Sequence, residues 1–304
     1  MNPKPVILDT DIGTDVDDCL ALSLILASPE LDLVAVTTVY GDVLLRARMV
    51  DKLLALRGVR EVPVAMGATK PLLGKRPVYW AGHEGVGLLG AEDQAFTPVE
   101  DHAVDLIVRK VMAQPKEITL IAIGPLTNVA LAFLREPRLA QNLAGLVVMG
   151  GVVGGAHALH LPWTEHNFRC DPEAAHIVLS AGASTTIVPL DVTTKVCIRR
   201  DDVTRIRAAG DPFHVAVADQ VSLYPPFAQR GWTHLHDPLA VATFVEPSLV
   251  RLDSLRVLIE TQGEHTAGAM LAALPEPEKP TNAEVALEVN AHRAEQFIVD
   301  RLTR

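Results

Sequence analysis

Five aspartates crowd the ten positions from Asp9 to Asp18, in the segment Ile7-Leu-Asp-Thr-Asp-Ile-Gly-Thr-Asp-Val-Asp-Asp18, directly after the apolar run Pro5-Val-Ile-Leu8. The apolar run reads as a short buried strand. Cys19 to Ala27 reads as a helix with Leu20, Leu24 and Ala27 on one face. Like charges packed into a strand-to-helix turn repel one another unless something positive sits among them. Oxygen ligands of this kind suit a hard divalent cation, Ca²⁺ or Mg²⁺. A single aspartate capping the helix would account for one or two of these residues. Five of them, with Gly13 permitting a tight turn, point to a site.

The rest of the chain sets this turn in an α/β frame. Short β-branched runs at Val6–Leu8, Leu33–Thr38, Ile118–Ile123, Leu146–Met149 and Thr185–Pro189 predict strands. Between them, Asp17–Ala27, Leu44–Arg57, Ala103–Ala113, Leu126–Leu134 and Pro172–Ala181 predict helices. This alternation implies βαβ units, hence an open, mainly parallel sheet with helices on both faces. Ligands of such sheets bind at the carboxyl ends of the strands, where the acidic turn falls. Residues 67–100 break the rhythm with a glycine- and proline-rich loop, a length of irregular chain that is usually functional or disordered. From about Leu252 the pattern is β-rich, with an exposed connection at Pro275–Pro280 and a last helix at His292–Arg301. No repeat or composition break divides the 304 residues, so the expectation is one domain, 1–304, with loop insertions and a small C-terminal β-containing part.

Composition narrows the function classes. A formal charge of −10 argues against nucleic-acid and anionic-membrane partners. Cys19, Cys170 and Cys197 form neither a disulfide framework nor a C-x-x-C zinc signature. With no signal-peptide layout and no membrane-length apolar stretch, the protein is expected to be soluble and cytoplasmic.

Three further segments are candidate places for chemistry. Ile118 to Asn128 is a strand ending in Gly124-Pro125 and a helix, ordinary α/β punctuation whose last carbonyls, near Ile123, would face the acidic turn's crevice. Met149-Gly-Gly-Val-Val-Gly-Gly155 lacks the dinucleotide fingerprint, and Glu165 and Asn167, ten residues on, offer sugar-binding groups or a solvated loop. In His234-Leu-His-Asp-Pro238, Asp237 reads as an N-cap before Pro238 or as a distant metal ligand. His236 beside it is a candidate acid or base.

In this order the segments resemble the inosine-uridine-preferring nucleoside hydrolase family. The carrying motifs are Asp9–Leu22, Thr37-Thr-Val-Tyr-Gly-Asp42, Gly124-Pro-Leu-Thr-Asn128, Val148-Met-Gly-Gly151, Glu165-His-Asn167 with Asp171-Pro-Glu-Ala-Ala175, and His236-Asp-Pro238. The resemblance implies Ca²⁺-dependent hydrolysis of the N-glycosidic bond of ribonucleosides by a homodimer or homotetramer. By position, Asp11, Asp18, Asp237 and the Ile123 carbonyl would hold the ion. Asp17, Asp42, Asn167 and Asp237 would bind substrate, with Glu165 toward the 5′ end. Asp11 would activate a metal-bound water, and His236 would protonate the departing base. Carboxylates suit the oxocarbenium character that develops on the sugar, and a cation lowers the water's pKa.

Some positions depart from the family pattern. The acidic turn is two residues longer than the commoner form, so Asp15 competes with Asp17 for the ribose role, although the Asp17-Asp18 pair fits it better. Asp42 replaces a frequent Asn. Ala156 to Trp163 is longer and more apolar than usual and lacks an Asn for the 5′-hydroxyl. His83, Tyr224 and Trp232 are candidates to touch the base. A haloacid-dehalogenase-like phosphatase also starts with Asp-x-Asp, but Gly13 stands where it needs Thr or Val. An EF-hand would need Glu at Leu20 and Gly at Thr14. A catalytically impaired calcium- or nucleoside-binding protein is the remaining alternative.

Overall fold

The structure is a computed structural model that describes residues 2–154, 159–278 and 280–304. Strands β1 (Lys4–Thr10), β2 (Leu31–Thr38), β3 (Val64–Met66), β4 (Thr119–Ala122), β5 (Gly145–Met149) and β6 (Thr185–Val188) pair in parallel, in the spatial order β3-β2-β1-β4-β5-β6. β7 (Cys197–Arg199) and β8 (Trp232–His234) form a separate antiparallel ladder. The chain then returns as β9 (Val250–Ile259), β10 (Met270–Ala273) and β11 (Ala283–Val289). β11 lies parallel to β6, β9 antiparallel to β11, and β10 closes the edge of a nine-stranded sheet.

Helices cover both faces because neighbouring strand residues point to opposite sides. Val6 and Leu8 enter one core cluster while Ile7 enters the other, and Ile121 and Leu120 divide in the same way. The first cluster is closed by α1 (Asp17–Leu26) and α2 (Val43–Leu56). The second is closed by α3 (Ala103–Ala113) and α4 (Thr127–Arg135), the short α5 (Leu139–Asn142) adding Leu139. After the one-turn α6 (His166–Cys170), α7 (Pro172–Ser180) joins the second face. Beyond α8 (Leu190–Thr193), α9 (Arg200–Ala208), α10 (Pro212–Leu223), α11 (Pro225–Arg230), α12 (His236–Val245) and α13 (Ala291–Leu302) all return to the first.

The expected parallel α/β sheet is therefore the architecture observed, with strand and helix ends moved by a few residues at most. β3 escaped the sequence reading because three residues carry no usable periodicity. The C-terminal β-rich part does not stand apart: β9 to β11 extend the main sheet past β6. The loop over 67–100 contains one 3-10 turn, Ala91–Ala95. The connection 275–278 is exposed, and Lys279 lies outside the described residues. Among the described residues no helix is long and apolar enough to cross a membrane.

β1 lies inside this sheet, paired with β2 on one side and β4 on the other, so a cavity there cannot be relieved by fraying. Leu8→Ala, at a fully buried position, is expected to lower unfolding free energy in urea by about 2–5 kcal/mol. Leu134→Ala, at a position 60% exposed, should change it by no more than about 0.5 kcal/mol.

Candidate active site

The strand order reverses beside β1: the chain moves outward through β2 and β3, then restarts at β4 on the other flank. Loops leaving β1 and β4 diverge at such a switch point and open a crevice. Here it is a cavity of about 600 Å³ whose walls include Asp11, Asp15, Asp17, Asp18, Ile123, Glu165, Asn167, His236 and Asp237. Gly13 makes the acidic turn possible, with φ of +117°. Gly124, leaving β4, must also lack a side chain: a Cβ there would lie 2.7 Å from Asp11 Oδ1.

Asp11, Asp17, Asp18 and Asp237 are all buried, and Asp15 is half-buried. Carboxylate oxygens of Asp17, Asp18 and Asp237 lie within 4.8 Å of one another. Thr10 donates its hydroxyl to Asp18 Oδ1 at 2.5 Å, and the Asp237 amide donates to Asp17 Oδ2 at 3.2 Å. Burial, with repulsion from neighbouring carboxylates added, raises Asp17, Asp18 and Asp237 well above the usual carboxylate range. Burial also raises Asp11, against the pull of Arg46. A buried, oxygen-only donor set with this much uncompensated negative charge fits a hard divalent cation. A zinc centre would want sulfur or nitrogen ligands.

Asp237 reaches the group because α12 starts earlier than a capping reading allows. The helix begins at His236 with Leu235 as its N-cap residue, and no side chain caps it. Asp237 is thus in the first turn with its carboxylate free for the crevice, and the N-cap reading is set aside. His236 Nδ1 is 2.7 Å from Thr193 Oγ1 at the end of α8. Burial lowers His236 to about 4, with Asp15 pulling upward, so the imidazole is neutral at pH 7.

The opposite wall is set by α6. Glu165 caps that helix, accepting from the amides of Asn167 (2.6 Å) and Phe168 (3.0 Å) and from that of Gly151 (3.1 Å). Asn167 donates Nδ2 to the carbonyls of Ile123 (2.9 Å) and Met149 (3.1 Å), fixing its amide against the ends of β4 and β5. The Ile123 carbonyl retains a second lone pair. Behind the crevice, Asp9 Oδ1 accepts from Thr37 Oγ1 (2.6 Å) and Asn128 Nδ2 (2.8 Å), tying β1, β2 and α4 together.

The sequence-predicted site residues mostly converge, with differences. Asp17 belongs to the tightest carboxylate trio, and Asp11 faces the same cavity without joining it. Asp42 is exposed and caps α2, accepting from the Leu45 amide at 2.9 Å, away from the cavity lining. Its short side chain is consumed by the orphan amides of the helix start. Trp232 lies in β8 under Arg230, with the guanidinium 4.1 Å from its ring centroid, and does not line the cavity. Tyr224 and His83 do line it, and His83 Nε2 is 2.9 Å from the Thr14 carbonyl. In the apolar segment 156–163, residues 156–158 lie outside the described residues, as does Gly155, while Pro162 reaches the cavity. The sequence reading missed Tyr79 and His166, which line the wall, and Arg46 beneath the turn.

Buried carboxylates and a neutral histidine around one cavity suit a metal-dependent hydrolase. The sequence profile of the inosine-uridine preferring nucleoside hydrolases matches residues 6–296, and the chain belongs to that family. It is 37% identical to a pyrimidine-specific ribonucleoside hydrolase, RihA, of Citrobacter koseri over 87% of this chain and 86% of that one. To the RihA of Salmonella newport it is 34% identical over 98% of both chains. Among solved structures, a purine-preferring ribonucleoside hydrolase from Gardnerella vaginalis superposes with a TM-score of 0.86 at 29% identity, over 99% of this chain and 98% of that one. The protein is an N-glycosidase, a ribonucleoside hydrolase.

Gly124→Ala tests how tightly β4 and the acidic turn are fitted. Displacing Asp11 should cut kcat/KM by about 100-fold with far-UV circular dichroism unchanged. Activity near wild type would show that the turn can retreat.

Proposed function

We propose that this chain hydrolyses the N-glycosidic bond of ribonucleosides to free base and ribose with a Ca²⁺ held by Asp11, Asp18, Asp237 and the Ile123 carbonyl. The observation carrying this reading is the meeting of buried Asp11, Asp17 and Asp18 with Asp237 and His236, from distant segments, around one cavity. When bound, the cation supplies Lewis-acid orientation of oxygen ligands and a lowered water pKa.

The chain's own groups do the rest. Asp17 and Asn167 hold the ribose hydroxyls, and Glu165 borders the 5′ end. Asp11 takes a proton from the attacking water as its oxygen bonds to C1′. The C1′–N bond breaks with its electron pair going to the base, and buried carboxylates stabilise the positive charge that develops on the sugar. His236 serves as the acid in its imidazolium form, which the nearby Asp15 carboxylate favours. It passes one ring N–H proton to the leaving nitrogen as negative charge builds there and returns to neutral imidazole. Its imidazole is neutral at rest, held by Thr193 and influenced by Asp15. The all-carboxylate and carbonyl donor set favours Ca²⁺ over softer ions. Asp42 is assigned no substrate contact.

The names of relatives divide on the base: sequence relatives are called pyrimidine-specific, while structural neighbours include purine-preferring and inosine-guanosine hydrolases. Base preference is therefore left to experiment. A cytoplasmic salvage role and a homodimeric or homotetrameric assembly complete the reading.

Calcium-loaded protein should release base and ribose from at least one member of a purine and pyrimidine ribonucleoside panel, and a chelator should abolish the release. No release from any member would overturn the reading. Asp237→Ala should lose both calcium binding, read by calorimetry, and activity. His236→Ala should keep calcium and lose about 100-fold or more in kcat on natural nucleosides. It should lose much less on a riboside with a p-nitrophenolate leaving group, which departs without protonation. Equal losses on both substrates would remove His236 from the acid role.

A further inference from the structure

Among the described lysines and arginines, Arg46 alone is buried, with no exposed surface at all. It sits on α2 beneath the acidic turn. Nη1 donates to the Ile12 carbonyl at 2.7 Å, Nε to the Tyr40 carbonyl at 2.7 Å, and Nη2 to Thr14 Oγ1 at 3.1 Å. The Trp80 ring covers it, with its centroid 5.1 Å from the guanidinium carbon. None of these bonds goes to a carboxylate, so the charge is not spent in a direct ion pair. Burying a guanidinium in this way is costly unless its environment needs the charge. Its field reaches Asp11 and Asp18.

The chain of donors continues outward. Thr14, whose oxygen accepts from Arg46, donates its own hydroxyl to Glu84 Oε1 at 3.0 Å. Glu84, buried in the glycine-rich loop, also accepts from the amides of Ala81 (2.8 Å) and Gly82 (2.7 Å). That short stretch carries Ala81 and His83 into the cavity wall. One guanidinium therefore braces the backbone of the metal turn and, through one hydroxyl, the loop beside it.

We propose that Arg46 is a positioning residue with two arms: its fork on Ile12 and Tyr40 sets the acidic turn in its cation-binding form, and the Thr14–Glu84 relay seats residues 81–84 against the substrate. This rests on the proposed calcium-dependent reading of the same site. Lysine cannot span the two carbonyls as a planar fork does. The guanidinium's geometry, and not its charge alone, is then what the turn requires.

Arg46→Lys, Arg46→Met and Thr14→Val separate the arms, with calcium affinity measured by calorimetry, hydrogen exchange followed over residues 81–89, and steady-state kinetics. Both Arg46 variants should bind calcium about 10-fold or more weakly, as loss of an outer-shell support does. Thr14→Val should keep calcium affinity within about 2-fold while exchange over 81–89 quickens and KM rises with little change in kcat. Wild-type calcium affinity in both Arg46 variants would overturn the first arm. Rescue by lysine would also overturn it, by showing that charge alone suffices. Unchanged exchange and KM in Thr14→Val would overturn the second arm. If the Arg46 variants fail to fold, Thr14→Val still decides the relay. A wild-type protein that neither binds calcium nor releases base would sink the underlying reading, whereas the exchange measurement judges the relay independently of turnover.

Discussion

Holding several carboxylates out of water at the end of one interior strand is the constraint on which the rest of this structure depends. Each buried anion would be neutralised or expelled unless donors and positive charge were arranged around it. The chain supplies Thr10 for Asp18, a backbone amide for Asp17, and the buried Arg46 behind Asp11 and Asp18. What remains unbalanced is negative charge facing the cavity, and this asks for a cation. The sheet order serves the same end, since only at the reversal beside β1 do the loops after β1 and β4 part widely enough to open a crevice.

The cavity is asymmetric in a way that suits cleavage between a sugar and a base. Its floor is acidic. One wall, built on α6, is pinned to β4 and β5 by Asn167. The other carries His236, Asp15 and Tyr224, groups suited to a heteroaromatic leaving group. Asp15, half-buried, lines the cavity together with Tyr224 and His236. Relatives with quite different names for their preferred base share this fold, so preference is expected to reside in such wall residues and loops more than in the acidic floor.

Much of the site could be read from residue types alone. Aspartates clustered after an apolar strand have few uses, and His236-Asp237-Pro238 gained meaning once that cluster demanded partners. Asp42 caps α2 in this structure, and no local pattern separates an aspartate engaged by a helix's unpaired amides from one that binds a ligand. Arg46 is marked in the sequence by its position. It lies among Val43, Ala47, Val50 and Leu54 on the buried stripe of α2, where an arginine is out of place unless something beneath it is acidic. The C-terminal strands were legible as strands, but their place beside β6 was not, since pairing across about 100 residues leaves no local trace.

The sequence by itself determined the alternation of strands and helices, the identity of the acidic turn, and the family to which the chain belongs, because periodicity and short motifs are local properties of the chain. Tertiary structure alone decided which carboxylates meet. It brought Asp237 across more than 200 residues to Asp17 and Asp18, with the start of α12 freeing its side chain. It sent Asp42 to a helix cap and set Arg46 under the turn. Those outcomes depend on where a buried charge finds its donors, and the donors come from segments far apart in the chain.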